Sequence, residues 1–275
     1  MVSQDRSQVI FDLIDESLIS EDMDTVVVKA YFSTEIDIVE KVEAIKGHLK
    51  HISEFLNIGT GKITLLDIPE EKWANEWKKY YKPVKLGDHI VIKPKWETYE
   101  AEVDDLIIEM DPGMAFGTGT HETTAMCAQL VEKYIRPDQT IIDIGTGSGI
   151  LGIIAAKMGA QKVIGVDIDP VAVKVAKENV AYNHVEDQME VYAGNLIDVV
   201  KEKGQIVVSN IIADVIIMLA GQVEQVIADE GTWIASGIIQ MRKDDVIAAI
   251  EANGFEIVEI HEQKEWVAVV ARRRK

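Results

Sequence analysis

From residue 140 onwards, short runs of consecutive apolar residues alternate with stretches in which apolar residues return every three or four positions. Ile141-Ile142-Asp143-Ile144 is such a run, β-branched and flanked by glycine, which predicts a buried strand. Further strands are expected at 162–167, 188–192, 205–210, 231–236, 255–261 and 265–271. Helices are expected at about 150–158, 171–182, 212–228 and 240–252. This alternation predicts a parallel sheet covered on both faces. Phe255–Ile260 and Trp266–Val270 have few polar residues between them and read as a closing hairpin, which sets one strand antiparallel to the others.

The first third has a different rhythm. Asp24–Phe32 reads as a strand. Ile38, Val39, Val42, Ile45, Leu49, Ile52 and Leu56 recur at helical spacing, and Asn57 and Gly59 close that helix. Residues 62–68 read as the next strand, so residues 1–70 are expected to form a small α+β domain, ferredoxin-like in pattern. Between Lys72 and Trp96, seven lysines alternate with Trp73, Trp77, Tyr80, Tyr81 and Trp96. Such a strip suits either nucleic acid or rings packed on a neighbour with lysine stems splayed outward, and the acidity of the chain favours packing. With Pro83, Gly87 and Pro94 as punctuation, residues 71–100 are expected to be a linker and 101–275 the second domain.

Composition narrows the classes. The chain has 275 residues, 47% of them hydrophobic, and a formal net charge of -19. That charge disfavours a broad nucleic-acid face and would suit a basic partner. The single cysteine, Cys127, cannot form an internal disulfide, and its apolar surroundings make it a core residue. With no basic-then-apolar leader and no span-length apolar run, the expected location is the cytoplasm. His48 and His51 share a helix face without a nearby third ligand, so no metal is expected.

The chemistry gathers at the ends of the predicted strands. Asp143-x-Gly145-Thr146-Gly147-x-Gly149 joins a strand to a helix through alternate glycines, where the backbone turns sharply and approaches a ligand without a Cβ in the way. The helix amides that follow face the same ligand. Twenty-two residues after Gly145, Val163–Val166 ends at Asp167, the place of a carboxylate that accepts ribose hydroxyls. Ahead of both lies Asp111–Thr124, with three glycines, four threonines, Phe116 and His121, which reads as a mobile cover leading into a helix at about 122–134 capped by Thr120. Gly147–Gly152 also fits the dinucleotide pattern G-x-G-x-x-G, but Asp143 would repel a pyrophosphate, whereas it would meet a cationic amino-acid group.

The frame from Asp143 resembles the nucleotide-binding motif of class I S-adenosylmethionine-dependent methyltransferases, whose seven-stranded Rossmann-like sheet also ends in a hairpin. Together with Asp111–Thr124, Asp167-Ile168-Asp169-Pro170 and Asn210-Ile211-Ile212-Ala213, residues 70–275 resemble the ribosomal protein L11 methyltransferase family, PrmA. The resemblance implies a substrate-recognising ferredoxin-like N-terminal domain, a linker and a methyltransferase domain. Members of that family start with one further strand and helix, so the N-terminal domain here is expected to be incomplete. It also implies S-adenosyl-L-methionine as cofactor and a large-subunit ribosomal protein as partner, methylated on lysine and α-amino groups.

By the same resemblance Thr124, Gly145, Asp167 and Asn210 contact the donor, with Thr146, Gly147 and Gly149 in the loop that surrounds it. Ile168 would pack on adenine, Asn195 would bond its edge, and Asn210 would orient the attacking amine as the catalytic residue. Phe116, Thr118, Thr120 and His121 would form a substrate loop, with His121 a candidate base. Rival readings are a methyltransferase for a small molecule or RNA, a nicotinamide-dependent oxidoreductase, and a donor-binding protein without turnover. Asn210-Ile211-Ile212-Ala213 lacks the Pro-Pro-aromatic continuation usual for base methylation.

Overall fold

The computed structural model describes residues 38–65, 81–111 and 121–274. The expected strand at 24–32, the start of the lysine-aromatic strip and Phe116, Thr118 and Thr120 lie outside the described residues. The chain divides into two compact units, residues 1–70 and 71–275.

In the first unit, α1 (Ile38–Ile52) is the helix its periodicity predicts. The expected strand at 62–68 is not seen over its described part, since residues 62–65 join no sheet. Neighbouring Gly59 and Gly61 both take left-handed backbone, which suits a turn rather than a strand entry. His48 and His51 are both exposed, and His51 lies edge-on to Phe55.

The second unit begins with β1 (Val84–Lys85), β2 (Ile90–Pro94) and β3 (Leu106–Met110). The first two pair antiparallel, the last two parallel. Ile90, Ile92, Ile108 and Met110 are buried in one core with Cys127 and Leu130. Residues 84–94, inside the stretch read as a linker, thus belong to this unit. Lys82, Lys85, Lys93 and Lys95 each pair with a carboxylate: Glu97, Asp105, Glu109 and Asp111 respectively.

The main sheet comprises β4 (Thr140–Ile144), β5 (Lys162–Asp167), β6 (Met189–Ala193), β7 (Gly204–Asn210), β8 (Ile227–Ile239), β9 (Phe255–Gln263) and β10 (Trp266–Arg273). Their order is β6-β5-β4-β7-β8-β10-β9. The five strands from β6 to β8 are parallel, while β10 runs antiparallel to both neighbours, as the hairpin predicts. Helices α2 (Glu122–Tyr134), α3 (Ile150–Lys157), α4 (Pro170–Tyr182), α5 (Ala213–Ala220) and α6 (Lys243–Ala252) connect them.

The centre of the sheet is buried because β4 is apolar on both faces. Ile141 joins the core that holds Ile150, Ile153 and Ile154 of α3, while Ile142 and Ile144 join the one that holds Ile216 of α5 and Ile250 of α6. Each of these isoleucines is almost wholly removed from water, worth about 1.5–3 kcal/mol apiece. Strand β8 runs 13 residues, longer than expected, because β7 and β10 both pair with it. The expected helix at 212–228 stops at Ala220, where Gly221 caps it and a 3-10 turn at Val223–Gln225 follows. Among the described residues, no helix is long and apolar enough to cross a membrane.

Candidate functional site

A parallel sheet sends the carboxyl ends of its strands to one edge, where ligands bind beside a switch in strand order. Here β4 is that switch: the chain steps outward through β5 and β6, then returns to β7 on the other side. The ends of β4, β5, β6 and β7 therefore bring the glycine-rich loop, Asp167-Ile168, Asn195 and Asn210 to neighbouring places.

Gly145, Gly147 and Gly149 all have positive φ, at 74°, 56° and 85°. At two of them a Cβ would also be crowded. A Cβ on Gly145 would lie 2.3 Å from Ile211 Cγ2, and one on Gly149 would lie 3.3 Å from the Ala176 Cβ of α4. The loop is thus a close backbone turn that ends at the N-terminus of α3.

Asp143 sits beneath this loop, only 1% exposed. Its Oδ2 accepts from Thr146 Oγ1 at 2.6 Å and from the Gly152 amide at 3.1 Å, so the carboxylate ties both ends of the turn to β4. Oδ1 is buried with no protein partner. Burial pushes the carboxyl up to about 6, against the pull of those two hydrogen bonds, and the charge of Asp167 adds to the rise. Thr146, placed in the loop by sequence, is therefore the strap between Asp143 and the turn.

Asp167 ends β5, half-buried. Oδ2 accepts from the Gly147 amide at 2.8 Å and Oδ1 from the Asp169 amide at 2.9 Å. Ile168 beside it is 71% exposed, a large apolar side chain left open at the sheet edge. Asp169 then caps α4 by accepting from Val171 N. Asn195 follows β6; it is exposed, and its amide donates to Asp198.

On the other side of β4, Asn210 ends β7. Its Nδ2 makes a long 3.4 Å hydrogen bond to Thr124 Oγ1 in the first turns of α2, where Thr124 is buried. The Asn210 amide nitrogen faces Thr124, which leaves Oδ1 as the acceptor for a third group.

The cap of α2 differs from expectation. His121, rather than Thr120, is the N-cap residue, and its side chain accepts from Thr123 N. Nδ1 also lies 2.8 Å from Thr123 Oγ1, and the ring packs edge-on against Trp266 at 5.0 Å between centroids. An ion pair between Lys264 and Glu122 ties the same turn to the β9–β10 hairpin. An imidazole held so spends Nδ1 on the helix start.

Sequence reasoning missed Asn179 on α4 and Asn183, which caps its C-terminus, 0% and 3% exposed. Their signal was present: two amides four residues apart on the face that buries Ala172, Ala176 and Val180. Among the described residues no cluster of three or more His, Cys, Asp or Glu is placed to hold a metal.

The arrangement suits a nucleoside-type ligand at the strand ends. Two carboxyl groups stand on adjoining strands, one with a buried unpartnered oxygen; the loop between them has positive-φ glycine backbone; Ile168 lies open beside Asp167.

Comparison with known proteins points to one family. A sequence model of the family described as Ribosomal protein L11 methyltransferase (PrmA) matches residues 2–274. A Ribosomal protein L11 methyltransferase of Alkaliphilus oremlandii (strain OhILAs) is 51% identical over 263 residues, 95% of this chain and 84% of that protein. Its namesake in Clostridium perfringens (strain SM101 / Type A) is 46% identical over 273 residues, 99% of this chain and 87% of that one. Among solved structures, a ribosomal protein L11 methylase from Lactobacillus delbrueckii subsp. bulgaricus superposes with a TM-score of 0.67 at 33% identity. The match covers 71% of this chain and all of that one.

Proposed function

Because this chain belongs to the ribosomal protein L11 methyltransferase family, we propose that it takes S-adenosyl-L-methionine at the strand ends and methylates lysine side-chain and α-amino groups of that large-subunit ribosomal protein, in the cytoplasm. The observation that carries the donor assignment is the fixed carboxylate of Asp167, both oxygens oriented by backbone amides at the tip of β5. A carboxylate held this way accepts ribose hydroxyls in charge-assisted hydrogen bonds without first losing side-chain freedom.

The donor supplies a methyl carbon already activated by its sulfonium, so the protein's task is alignment. Gly145, Gly147 and Gly149 let the backbone close on it, Ile168 covers the adenine face, and Asn195 stands at the end of the next strand for the adenine edge. Asn210 offers Oδ1 to an incoming amine while Thr124 fixes the other end of its amide.

The nucleophile has to be neutral. A lysine near 10.4 must fall by about 3.4 pH units to be neutral at pH 7, which costs about 4.6 kcal/mol, while an α-amine near 7.7–8 needs only about one unit. Desolvation and a neighbouring positive charge both push in that direction. Asn210 Oδ1 accepts from the amine without removing its proton, so it orients rather than deprotonates.

The test is methyl counting by mass spectrometry on purified ribosomal protein L11 incubated with this chain and labelled donor. Methyl groups on lysine and α-amino nitrogens are expected; no incorporation overturns the substrate assignment. A thermal shift with S-adenosylhomocysteine but none with NADH separates the donor reading from the nicotinamide one.

A further inference from the structure

Helix α4 starts immediately after Asp167-Ile168-Asp169 and ends beside β3, so it spans the distance between the sheet edge and the smaller sheet. Its buried face carries three residues that grip two other segments. Ala176 lies against Gly149. Asn179 donates from Nδ2 to the Ser148 carbonyl at 2.9 Å and accepts at Oδ1 from the Asp111 amide at 3.0 Å. Asn183 accepts from Glu109 N at 2.9 Å and donates to Glu109 O at 2.6 Å, as a neighbouring strand would.

The two amides do different work. Asn183 seals the edge of β3 and touches nothing at the glycine-rich loop. Asn179 has one hand on that loop, between Gly147 and Gly149, and the other on Asp111, which opens the Asp-Pro-Gly segment leading to α2. A fully buried amide with both ends satisfied holds its partners at fixed separation, since breaking either bond strands a polar group away from water. Ser148 and Asp111 are otherwise remote in sequence, and α4 is the element common to both.

We infer that Asn179 is a positioning residue for donor binding, holding the glycine-rich loop through the Ser148 carbonyl, with Asp111 at the end of β3 as its fixed anchor, in the conformation that meets the nucleoside. This rests on the donor reading above. The residue touches neither donor nor amine; it acts through the Ser148 carbonyl and the Asp111 amide.

Isothermal titration of S-adenosylhomocysteine into the full chain tests it, with thermal melts in parallel. Asn179→Ala and Asn179→Asp are each expected to raise Kd at least tenfold. The aspartate keeps the acceptor for Asp111 but sets a buried carboxyl oxygen against the Ser148 carbonyl, so binding is compared at temperatures where the melts show each variant folded. Asn183→Ala cuts the β3 tether and the Nδ2 bond to the Asn179 carbonyl but leaves both side-chain bonds of Asn179 in place; it is expected to melt at lower temperature yet bind within threefold of wild type. Binding within threefold of wild type in both Asn179 variants overturns the inference, as does an Asn183→Ala loss matching theirs, which would mark a merely structural role. A wild-type chain that shows no binding overturns the donor reading itself, a separate result.

Discussion

Gly147 donates its amide hydrogen to Asp167 Oδ2 at 2.8 Å, so the turn after β4 and the tip of β5 are held as one piece. The Asp169 amide on Oδ1 completes the restraint. The acid proposed to receive the ribose is thus tied to the loop proposed to receive the rest of the donor, which lowers the ordering cost of binding under that proposal.

The buried Asp143 makes a pH prediction. Its carboxyl is raised from an ordinary 3.8 to about 6 by burial, so between those values the folded chain binds more protons at this site than the unfolded one. Stability from this group is then highest at low pH and is lost as pH rises through that window. Asp143→Asn has no such proton. In urea unfolding, the stability of Asp143→Asn relative to wild type should improve by about 2 kcal/mol between pH 4 and pH 7. A gap that stays constant with pH contradicts the buried, neutral-leaning carboxyl.

Gly237 backs the end of β7 that carries Asn210. It has φ of 84°, and a Cβ there would stand 2.4 Å from the Ile211 carbonyl oxygen, one residue past Asn210. Backbone on both sides has to shift to admit it. Gly237→Ala should cost about 2 kcal/mol or more in chemical denaturation and lower kcat together with it. Loss of neither would mean that the Ile211 turn is looser than its geometry.

His121 is a helix cap, and a cap substitution has a characteristic size. His121→Ala should lose about 1–2 kcal/mol, from the cap and from the ring contact with Trp266. Asn is a good capping residue, so His121→Asn should recover the capping part. The shape of the pH–rate profile should be the same in His121→Asn as in wild type. A limb of that profile that vanishes with the imidazole would restore His121 as a base.

Much of the architecture was written in local pattern. The β-branched runs at Ile141–Ile144 and Val163–Asp167 needed no tertiary information to read as buried strands, and Phe255–Ile260 with Trp266–Val270 announced the antiparallel hairpin. What pattern could not supply was partnership. Ile90-Val91-Ile92 lies among lysines and prolines, and only its pairing with β3 shows it as core rather than connection. The length of β8 came likewise from having a strand on either side.

In the site, the glycines and Asp167 were legible because backbone conformation and carboxylate chemistry are nearly unique to those residue types. Asp143 was expected to meet a cation directly; the structure gives it first to Thr146 and Gly152, with one oxygen left over. Asn179 escaped notice because a polar residue in a helix, next to Lys177 and Glu178, usually faces water. Its burial depends on β3, an element supplied by a distant part of the chain.

The central claim is that the nucleoside of the methyl donor lies across the strand ends, held by Asp167. Titration of S-adenosylhomocysteine into Asp167→Ala, with wild type alongside and both chains shown to be folded, tests it most directly. At least a tenfold rise in Kd is expected, since a charge-assisted bond to a hydroxyl contributes about 1.5–3 kcal/mol. Affinity equal to wild type would contradict the account.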